Sequence, residues 1–438
     1  MLPQGGRPGL PQIRPFKALR YNTKKIKGLS LVVAPPYDII PPAMQEKLYA
    51  KHPYNFVRLE LGRINPSDDG SDNRYTRAGK SFNAWLKEKV LISDEKPAVY
   101  IYSQKYKYNK KYIERFGFLA LMGLETGGTD RVLPHENTLA APKTDRLNIM
   151  RAVRGNLSPI FVLYEDRPHK ILGIFKKFCS AVKPIIDISF EGVRNRVWKL
   201  EDGRLIKRIE SVMRGKDIFI ADGHHRYEVA RMYSDEIQDK DLPAELKKNS
   251  KYMMAYFVEA DEKMLTILPA HRLVKDIGSL TKDETRERLA KFFHVGKAAS
   301  LSAMISKLGR MSSSYAFGMY LGKHKFYILK LKSAKRSDAA IKDKPKDWKR
   351  LDVSILHLFI LQHVLGIRDV DENVEFVKDP QDVIPMVDSG KFKIAFFLNS
   401  TKAWQVRRIA KLGERMPRKA TYFYPKPLSG LVINRFTD

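Results

Sequence analysis

The chain has 438 residues, of which 43% are hydrophobic and 11% aromatic, a composition that excludes a disordered protein and allows a large core in more than one domain. With 80 Lys and Arg against 49 Asp and Glu, its net charge of +31 favours polyanionic or phosphorylated partners, although the basic residues are dispersed along the chain. No apolar run is long enough for a membrane span or a signal peptide, and the single cysteine, Cys179, excludes an internal disulfide, so we expect a cytoplasmic protein without a membrane partner.

The first part of the chain predicts a short flexible arm at residues 1–12 and then a mixture of strands and helices. Alternating apolar residues indicate strands, and apolar residues spaced three or four apart indicate helices. The predicted elements are a strand over residues 13–21, a proline-defined loop over 34–38, a strand over 55–61, a helix over 75–89, a hairpin of 98–104 with 113–124, a helix over 143–153, and strands over 159–163 and 196–200.

The second part continues this mixture without the regular strand–helix–strand alternation of a doubly wound sheet. The predicted elements are a strand over residues 218–221, a helix that includes 229–233, a hairpin of 251–258 with 264–270, a helix over 280–293, strands within 314–331, an exposed lysine-rich connection over 332–350 and an apolar helix over 352–365. The predicted fold class is therefore α+β. We expect a phosphate-binding core over residues 13–275 and a C-terminal α+β domain over 276–438 that contributes to the cleft.

One segment concentrates chemically active side chains, namely Asp-Gly-His-His-Arg at residues 222–226, directly after the predicted strand at 218–221. The motif lies where a strand turns into a helix, so Asp222 is available as the helix N-cap. A helix N-terminus presents free backbone N–H groups and a partial positive charge, which suits a phosphate group. The density of acid, imidazole and guanidinium groups favours a functional role over a purely structural one.

A second candidate group lies in and after the loop at residues 134–138. Pro134 ends the preceding strand, and loops often carry functional side chains such as His135 and Glu136. Lys143 and Arg146 lie on one face if the following segment is helical. The alternative is an ordinary helix start whose charges are solvated.

Three further groups are open to either a functional or a structural interpretation. A pair of opposite charges on one strand face can simply form an ion pair, and a lone His is more often structural than functional. The C-terminal group offers donors for a phosphate or a carboxylate but surrounds a Tyr-Phe-Tyr pattern typical of a core strand. The three groups are Arg58 with Glu60, His271 with Arg272, and Lys419, Thr421 and Lys426 near the C-terminus.

Familiar nucleotide and hydrolase motifs are absent, because the sequence contains no GxxxxGK[ST], no GxSxG and no HExxH. These absences disfavour a P-loop enzyme, a serine hydrolase and a zinc protease, but they leave phosphate chemistry open. Mg²⁺ needs few protein ligands when substrate phosphates bind it as well. We therefore predict Mg²⁺ held by Asp222 or Glu136, with Asp222 as the first choice.

Six segments of the sequence together resemble one family: APPYDII, LPHENT, PKTDR, NLSPIFVLY, DGHHRYEVA and MPRKATYFYPK. On these motifs the chain resembles the family catalogued as domain of unknown function 1015. More distantly, a Glu-Asn element followed by a Gly-x-x-Arg turn at a helix start resembles the ParB/sulfiredoxin-like fold. That fold includes chromosome-partitioning CTPases, sulfiredoxins and kinases of free L-serine, and the resemblance implies a ParB-like mixed core with large insertions.

The resemblance to the free serine kinases implies a small-molecule kinase that transfers phosphate from a nucleotide, ATP or ADP, to a hydroxyl, with free L-serine giving O-phosphoserine as the best candidate. Glu136 would act as the base on the hydroxyl, and the turn at residues 222–226 would hold phosphate. The predicted residues are Glu136, Asp222 and His224 for catalysis; Gly223, His225, Arg226, Lys143, Arg146 and His135 for phosphate or nucleotide; and Arg272, Lys419, Thr421 and Lys426 for substrate.

Two alternative hypotheses remain open, a ParB-like nucleotide-dependent switch that binds nucleic acid and a metal-dependent phosphohydrolase. The net charge favours the switch slightly. Against nucleic acid stand the scatter of the basic residues and the lack of a recognisable helix-turn-helix. The sequence leaves the oligomeric state open.

Overall fold

A computed structural model describes residues 13–124, 131–367 and 370–437. The described residues fall into two compact units: unit 1 lies within Met1–Pro134, Thr138–Leu265 and Pro425–Asp438, and unit 2 within His135–Asn137 and Thr266–Tyr424. The predicted arm at residues 1–12 lies outside the described residues. The predicted domains over 13–275 and 276–438 stay predictions, because a division by contacts does not establish which segments fold independently.

Both units combine helices with sheets that are largely antiparallel, so the predicted α+β class is confirmed. The strands are β1 (Ile13–Arg14), β2 (Leu19–Tyr21), β3 (Leu91–Ser93), β4 (Val99–Tyr108), β5 (Lys111–Gly123), β6 (Val132–Leu133), β7 (Gly155–Asn156), β8 (Ile160–Tyr164), β9 (Ile186–Phe190), β10 (Val193–Leu200), β11 (Ile218–Asp222), β12 (Tyr252–Glu259), β13 (Thr266–Ile267), β14 (His271–Val274), β15 (Phe293–Ala298), β16 (Ala316–Tyr320), β17 (Phe326–Leu331), β18 (Val374–Val377), β19 (Ile394–Phe397), β20 (Phe423–Tyr424) and β21 (Asn434–Arg435).

Most helices are short, and within the described ranges none is both long and apolar enough to cross a lipid bilayer. The α-helices are α1 (Leu29–Val32), α2 (Pro42–Lys51), α3 (Val57–Glu60), α4 (Arg74–Lys87), α5 (Ala140–Val153), α6 (Lys170–Ala181), α7 (Gly203–Met213), α8 (His224–Gln238), α9 (Ala244–Ser250), α10 (Lys282–Ala290), α11 (Leu301–Arg310), α12 (Ala334–Ala340), α13 (Lys346–Lys349), α14 (Asp352–Ser354), α15 (Val370–Asn373), α16 (Pro380–Asp388) and α17 (Ala403–Lys411). A 3₁₀ turn covers Tyr37–Ile39 and a π-helix covers Ile355–Val364.

Unit 1 is built on a mixed sheet whose described strands lie in the order β6-β11-β8-β12-β5-β4-β10-β9, with β1 also paired to β5. The neighbours β6 and β11 are parallel, as are β8 and β12, and β4 with β5 forms the predicted antiparallel hairpin. Strands β8 and β12 are apolar and buried along nearly their whole length, as expected for strands covered on both faces. Helix α8 continues directly from β11 and packs against α5.

Unit 2 is built on an antiparallel sheet whose described strands lie in the order β15-β17-β16-β19-β14-β18, with β13 and β20 as a separate ribbon. Its core includes Leu273, Tyr320 and Phe397 together with residues of α11 and α16. The predicted strands within residues 314–331 are confirmed as β16 and β17.

Several local predictions were wrong. Residues 55–61 form a helix start and not a strand, because the Asn55 side chain accepts a hydrogen bond from the Val57 N–H and turns the chain into α3. Strand β12 does not form a hairpin with β13, since β12 is occupied on both sides by β5 and β8 while β13 pairs with β20. The lysine-rich connection contains α12 and α13 and buries Trp348.

Candidate functional site

The Asp-Gly-His-His-Arg motif lies where β11 turns into α8 in unit 1. Asp222 is the last residue of β11 and His224 the first of α8. Gly223 between them has φ of +91°, and a Cβ atom there would lie 2.8 Å from Ile160 Cγ2 and 3.1 Å from Arg226 Nε. The conformation and the space both require glycine at this position.

The prediction that Asp222 caps α8 was wrong. Gly223 is the N-cap, and glycine has no side chain that could accept a capping hydrogen bond. The Asp222 carboxylate contacts two cations, one of which is Arg226 in the first turn of α8. The partial positive charge of a helix N-terminus suits an anion as well.

The Asp222 carboxylate lies between two buried cations. Its Oδ2 accepts a hydrogen bond of 2.8 Å from Arg226 Nη2, and its Oδ1 contacts Lys426 Nζ. The exposed fractions of the three side chains are only 12%, 7% and 8% for Asp222, Arg226 and Lys426. The carboxylate is thus shared by two cations in a place with little water, where electrostatic attraction is strong.

Arg226 has one buried N–H group that makes no hydrogen bond to the described residues. Its Nη1 donates to the Pro159 carbonyl at 2.6 Å, while its buried Nε has no hydrogen-bond partner among the described residues. A buried guanidinium N–H without a partner is uncommon and costs free energy, because the group has lost its water. An incoming acceptor such as a phosphate oxygen would satisfy it.

Lys426 is held in position through its own backbone segment. Gln104 Nε2 donates to the Lys426 carbonyl at 3.1 Å, and Arg115 donates to the carbonyl of Pro425. Both donors are buried on the β4–β5 hairpin. The C-terminal Lys426, more than 200 positions from Asp222 in the chain, is thus a fixed part of the turn's surroundings.

A second set of contacts surrounds the start of α8. Glu228 accepts a hydrogen bond of 2.6 Å from Thr138 Oγ1 and one of 3.1 Å from Lys143 Nζ. The Leu139 N–H donates to His225 Nε2 at 2.9 Å, so this nitrogen is unprotonated. Lys143, predicted to bind phosphate, is engaged in an ion pair with Glu228, and His225 helps to fasten the start of α5.

Arg146 contributes to a buried polar cluster beside Arg226. Its Nη1 donates to the Glu60 carbonyl at 2.8 Å, and its guanidinium lies 3.9 Å from the centre of the Tyr37 ring. The Glu60 carboxylate accepts a hydrogen bond of 2.5 Å from Ser158 Oγ. Glu60, Arg146 and Ser158, together with Arg226, line a small cavity of about 30 Å³, which has room for one or two water molecules.

The sequence placed Glu60 with Arg58 on one strand face and left open whether the pair is functional or a simple ion pair. In the structure Glu60 lies in α3, is 2% exposed and faces Arg146 and Ser158. The available signal was Asn55, a residue type that often starts helices. Without the helix, the burial of Glu60 is not apparent.

The predicted residues of the loop after Pro134 lie in unit 2. His135 is buried, with its Nε2 at 3.0 Å from Thr421 Oγ1 and 4.0 Å from Glu136 Oε1. The His135 carbonyl also accepts a hydrogen bond from the Met416 N–H. His135, Glu136 and Thr421 are thereby brought together, and their functional roles stay predictions.

Arg272, predicted to bind substrate, is completely buried in unit 2. Its guanidinium donates to the carbonyls of Ala270 and Lys419 and, at 3.1 Å, to His357 Nε2. Burial lowers the pKa of Arg272 to about 9 and that of His271 to about 3, and it also holds the pKa of His357 well below its ordinary value. These contacts tie the segment around Lys419 to β14, and the predicted role of Arg272 in substrate binding stays a prediction.

The residues of the turn do not fit a metal site of their own. Both oxygens of Asp222 already contact cations. Among residues 13–124, 131–367 and 370–437, no three His, Cys, Asp or Glu side chains are grouped so that they could hold a metal ion. Mg²⁺ at Asp222 stays a prediction from the sequence.

Comparison with known proteins gives a family match and remote structural likenesses. Residues 13–354 match the family described as "Protein of unknown function (DUF1015)", and no curated protein is significantly similar to the chain. Similar solved structures include a free serine kinase in complex with AMP (14% identity, TM-score 0.34, covering 70% of this chain and 86% of that chain), a conserved hypothetical protein from Pyrococcus furiosus (13%, 0.34, 72% and 94%) and SbnI with a C-terminal truncation from Staphylococcus aureus (13%, 0.35, 72% and 86%). These likenesses are too remote to assign a function.

Proposed function

The chain belongs to the DUF1015 family, and from that premise we propose that it transfers a phosphate group from a nucleotide, ATP or ADP, to the hydroxyl of a small molecule. Free L-serine is the proposed acceptor, as the resemblance of the turn motif to the free serine kinases implies. The observation that supports phosphate chemistry most directly is the turn at Asp222, where two buried cations share one carboxylate at the start of a helix and Arg226 Nε has no partner among the described residues.

The turn has the features that phosphoryl transfer needs. The transferred group carries negative charge on its three equatorial oxygens, and a protein accelerates the reaction mainly by positioning and by stabilising that charge. Arg226 Nε is a buried N–H without a partner among the described residues, and Arg226 lies in the first turn of α8, where the helix carries a partial positive charge. In the proposed reaction these groups bind phosphate oxygens, and Lys426 Nζ adds a second positive charge.

Asp222 is proposed to position the two cations and not to act as a base. Both oxygens of the Asp222 carboxylate are engaged by cations, so neither is placed to accept the proton of a substrate hydroxyl. Glu136 stays the proposed base, on the motif resemblance alone, and its side chain is about one-quarter exposed, at 27%. General-base assistance of this kind contributes about 10²–10⁴-fold to a rate.

A donor-by-acceptor screen read by phosphorus NMR tests the proposal. ATP, ADP, CTP and pyrophosphate would be combined with serine, threonine and common polyols in the presence of Mg²⁺. We expect one pair to give a new phosphate-ester signal. Nucleotide hydrolysis without an ester would contradict the kinase and favour the phosphohydrolase or the nucleotide switch.

Two matched substitutions test the proposed roles of Glu136 as the base and of Asp222 as the residue that positions the two cations. Glu136→Gln is expected to lower turnover by about 10²-fold or more while nucleotide affinity stays unchanged, because only the proton-accepting group is lost. Asp222→Asn keeps the shape of the side chain but removes the charge that holds Arg226 and Lys426, so it is expected to weaken nucleotide binding itself. If Glu136→Gln lowers affinity and turnover equally, Glu136 is not a base.

A further inference from the structure

Unit 2 contains a cavity of about 470 Å³ that the proposed phosphate chemistry does not use. It is formed by the start of α17, the start of α14 and the turn before β16. Its volume lies in the range of about 300–1,000 Å³ that is typical of small-molecule sites. The cavity beside Arg226 in unit 1, at about 30 Å³, is far too small for such a ligand.

An exposed tryptophan lines this cavity. The chain has four tryptophans, and three of them, Trp85, Trp198 and Trp348, are at most 5% exposed. Trp404, near the start of α17, is 47% exposed and forms part of the cavity wall. An indole face left in water is a ready platform on which a flat ring can stack, with a gain from both apolar burial and ring stacking.

The charged groups of the wall leave a positive surplus. Arg408 is paired with Asp347 at 2.6 Å, and Arg350 with Asp338 at 3.1 Å. Lys402 has no ion pair among the described residues, and the carboxyl group of Asp352 acts on it only at longer range. Lys402 is therefore available to an anion.

Asp352 does not cancel this positive charge fully. Burial raises the pKa of its carboxyl group to about 7, against the opposing effect of Lys402. The group makes no side-chain hydrogen bond or ion pair within the part of the chain that the structure describes. Near neutral pH it is partly protonated, so it can also donate a hydrogen bond to a ligand.

The backbone of the wall is held in an uncommon conformation. Tyr315, in the turn before β16, has φ of +45°, which bulky residues rarely adopt. Such conformations concentrate at binding and catalytic sites, where the surrounding structure imposes them. Ser400 and Gln405 add hydrogen-bonding groups to the same wall.

We propose that this cavity binds a small organic anion that carries a flat aromatic ring, with the ring stacked on Trp404 and the anionic group on Lys402. Two kinds of molecule have this chemistry, a nucleoside monophosphate and an aromatic carboxylate. Both place a ring and a negative charge a few ångströms apart. The site is distinct from the turn at Asp222 and belongs to unit 2 alone.

Tryptophan fluorescence together with calorimetry tests the proposal on the full chain. Because Trp404 is the exposed indole among four, its emission is the one that a stacking ligand quenches. Adenosine, cytidine, guanosine and uridine monophosphates form one arm, and indole-3-carboxylate and 4-hydroxybenzoate form the other. We expect saturable quenching in at least one arm at ligand concentrations below about 5 mM.

Substitutions link the binding to the cavity. Trp404→Ala is expected to weaken the calorimetric affinity about tenfold, since stacking on an aromatic side chain contributes on that order. Lys402→Ala is expected to weaken it about fivefold, with a loss that shrinks as salt is added. Leu412→Ala and Lys411→Ala, on exposed residues at the end of the same helix that do not line the cavity, are the matched controls and should bind normally.

Each outcome of these binding measurements either supports or contradicts the proposed site at Trp404. Binding by a monophosphate and binding by a carboxylate both support the site and identify the source of the anion. Binding that persists in Asp222→Asn but weakens in Trp404→Ala belongs to this cavity and not to the turn of unit 1. No saturable binding in either arm, or binding that is equal in Trp404→Ala and Leu412→Ala, overturns the proposal.

Discussion

Unit 1 and unit 2 each contain a buried arginine that directly follows a histidine, Arg226 after His225 and Arg272 after His271, and the surroundings of the two arginines differ sharply. Arg226 is paired with Asp222, shares it with Lys426 and keeps one buried N–H without a partner. Arg272 has no carboxylate partner in the described chain and directs its donors to backbone carbonyls and His357. Arg226 thus keeps a buried N–H group that could bind an anion, whereas the donors of Arg272 hold neighbouring segments together.

The difference shows that the partners of a buried arginine, and not the residue type itself, decide whether it can bind a further anion. A charge held by one carboxylate and one carbonyl still has bonding capacity for an incoming phosphate. A charge whose hydrogen bonds go to backbone carbonyls and a buried histidine would have to give up some of these bonds to bind a substrate. We therefore propose a functional role for Arg226 and a structural one for Arg272.

The largest expected effect on stability comes from removing the carboxylate that the two cations of unit 1 share. Asp222→Ala removes the carboxylate that buried Arg226 and Lys426 share, so the free energy of unfolding should fall by about 3–5 kcal/mol. Urea denaturation followed by circular dichroism measures the change. Asp187→Ala is the control, because its pair with Arg194 is largely exposed and should contribute little. An equal loss in both variants would show that the Asp222 pair is not buried as described.

The corresponding test in unit 2 removes the cation itself. Arg272→Met leaves the buried carbonyls of Ala270 and Lys419 without their donor, and we expect a loss of about 2–3 kcal/mol in the free energy of unfolding. Phosphate-ester formation by the protein that remains folded should be unchanged. A stable variant without activity would contradict the structural role of Arg272.

Acid should destabilise unit 2 through its neutral histidines. The pKa of His271 is lowered to about 3 in the folded protein, so the unfolded chain takes up the proton first as the pH falls. Stability conferred by the neutral His271 is therefore present above its ordinary pKa and declines toward pH 3. Between about pH 6.5 and pH 5 the expected loss is about 2 kcal/mol.

The slope of stability against pH, measured by denaturation at several pH values, is the quantity to compare. His271→Asn should reduce that slope, and His357, whose pKa is also lowered, should account for part of what remains. An unchanged slope in His271→Asn would mean that this ring is not held neutral by burial.

The smallest expected effect concerns the glycine of the unit 1 turn. Gly223→Ala places a methyl group against Ile160 and Arg226, whereas Gly215→Ala has the same positive φ but open space around it. The excess loss of Gly223→Ala over Gly215→Ala should be about 1–2 kcal/mol, because only the first variant adds a steric clash. Thermal or urea denaturation of the pair measures the excess, and equal losses would show that space at Gly223 is not limiting.

The sequence predicted the strongly patterned elements and the place of the turn, because both are encoded locally. The β4–β5 hairpin, helix α5 and the junction of β11 with α8 all follow from apolar periodicity and turn residues. Lys426 was identified as a site residue, but its contact with Asp222 joins distant parts of the chain and could not be read from local pattern.

Glu60 and Arg272 show where local pattern misleads. The alternation around Glu60 fits a strand, yet one Asx turn at Asn55 converts the segment into a four-residue helix. Arg272 follows a histidine in sequence, as Arg226 does, and only tertiary burial reveals that its donors go to carbonyls and to His357. Long-range pairing and burial decide both cases, and neither has a short sequence signature.

The most direct test of the contrast between the two arginines is calorimetric binding of inorganic triphosphate, which carries no ring for the Trp404 cavity. The wild-type protein would be compared with Arg226→Gln and Arg272→Gln at a temperature where circular dichroism shows all three folded. We predict that affinity falls about 100-fold in Arg226→Gln and changes less than about twofold in Arg272→Gln. Normal binding by Arg226→Gln, or an equal loss in both variants, would contradict the assignment of the turn at Asp222 as the phosphate site.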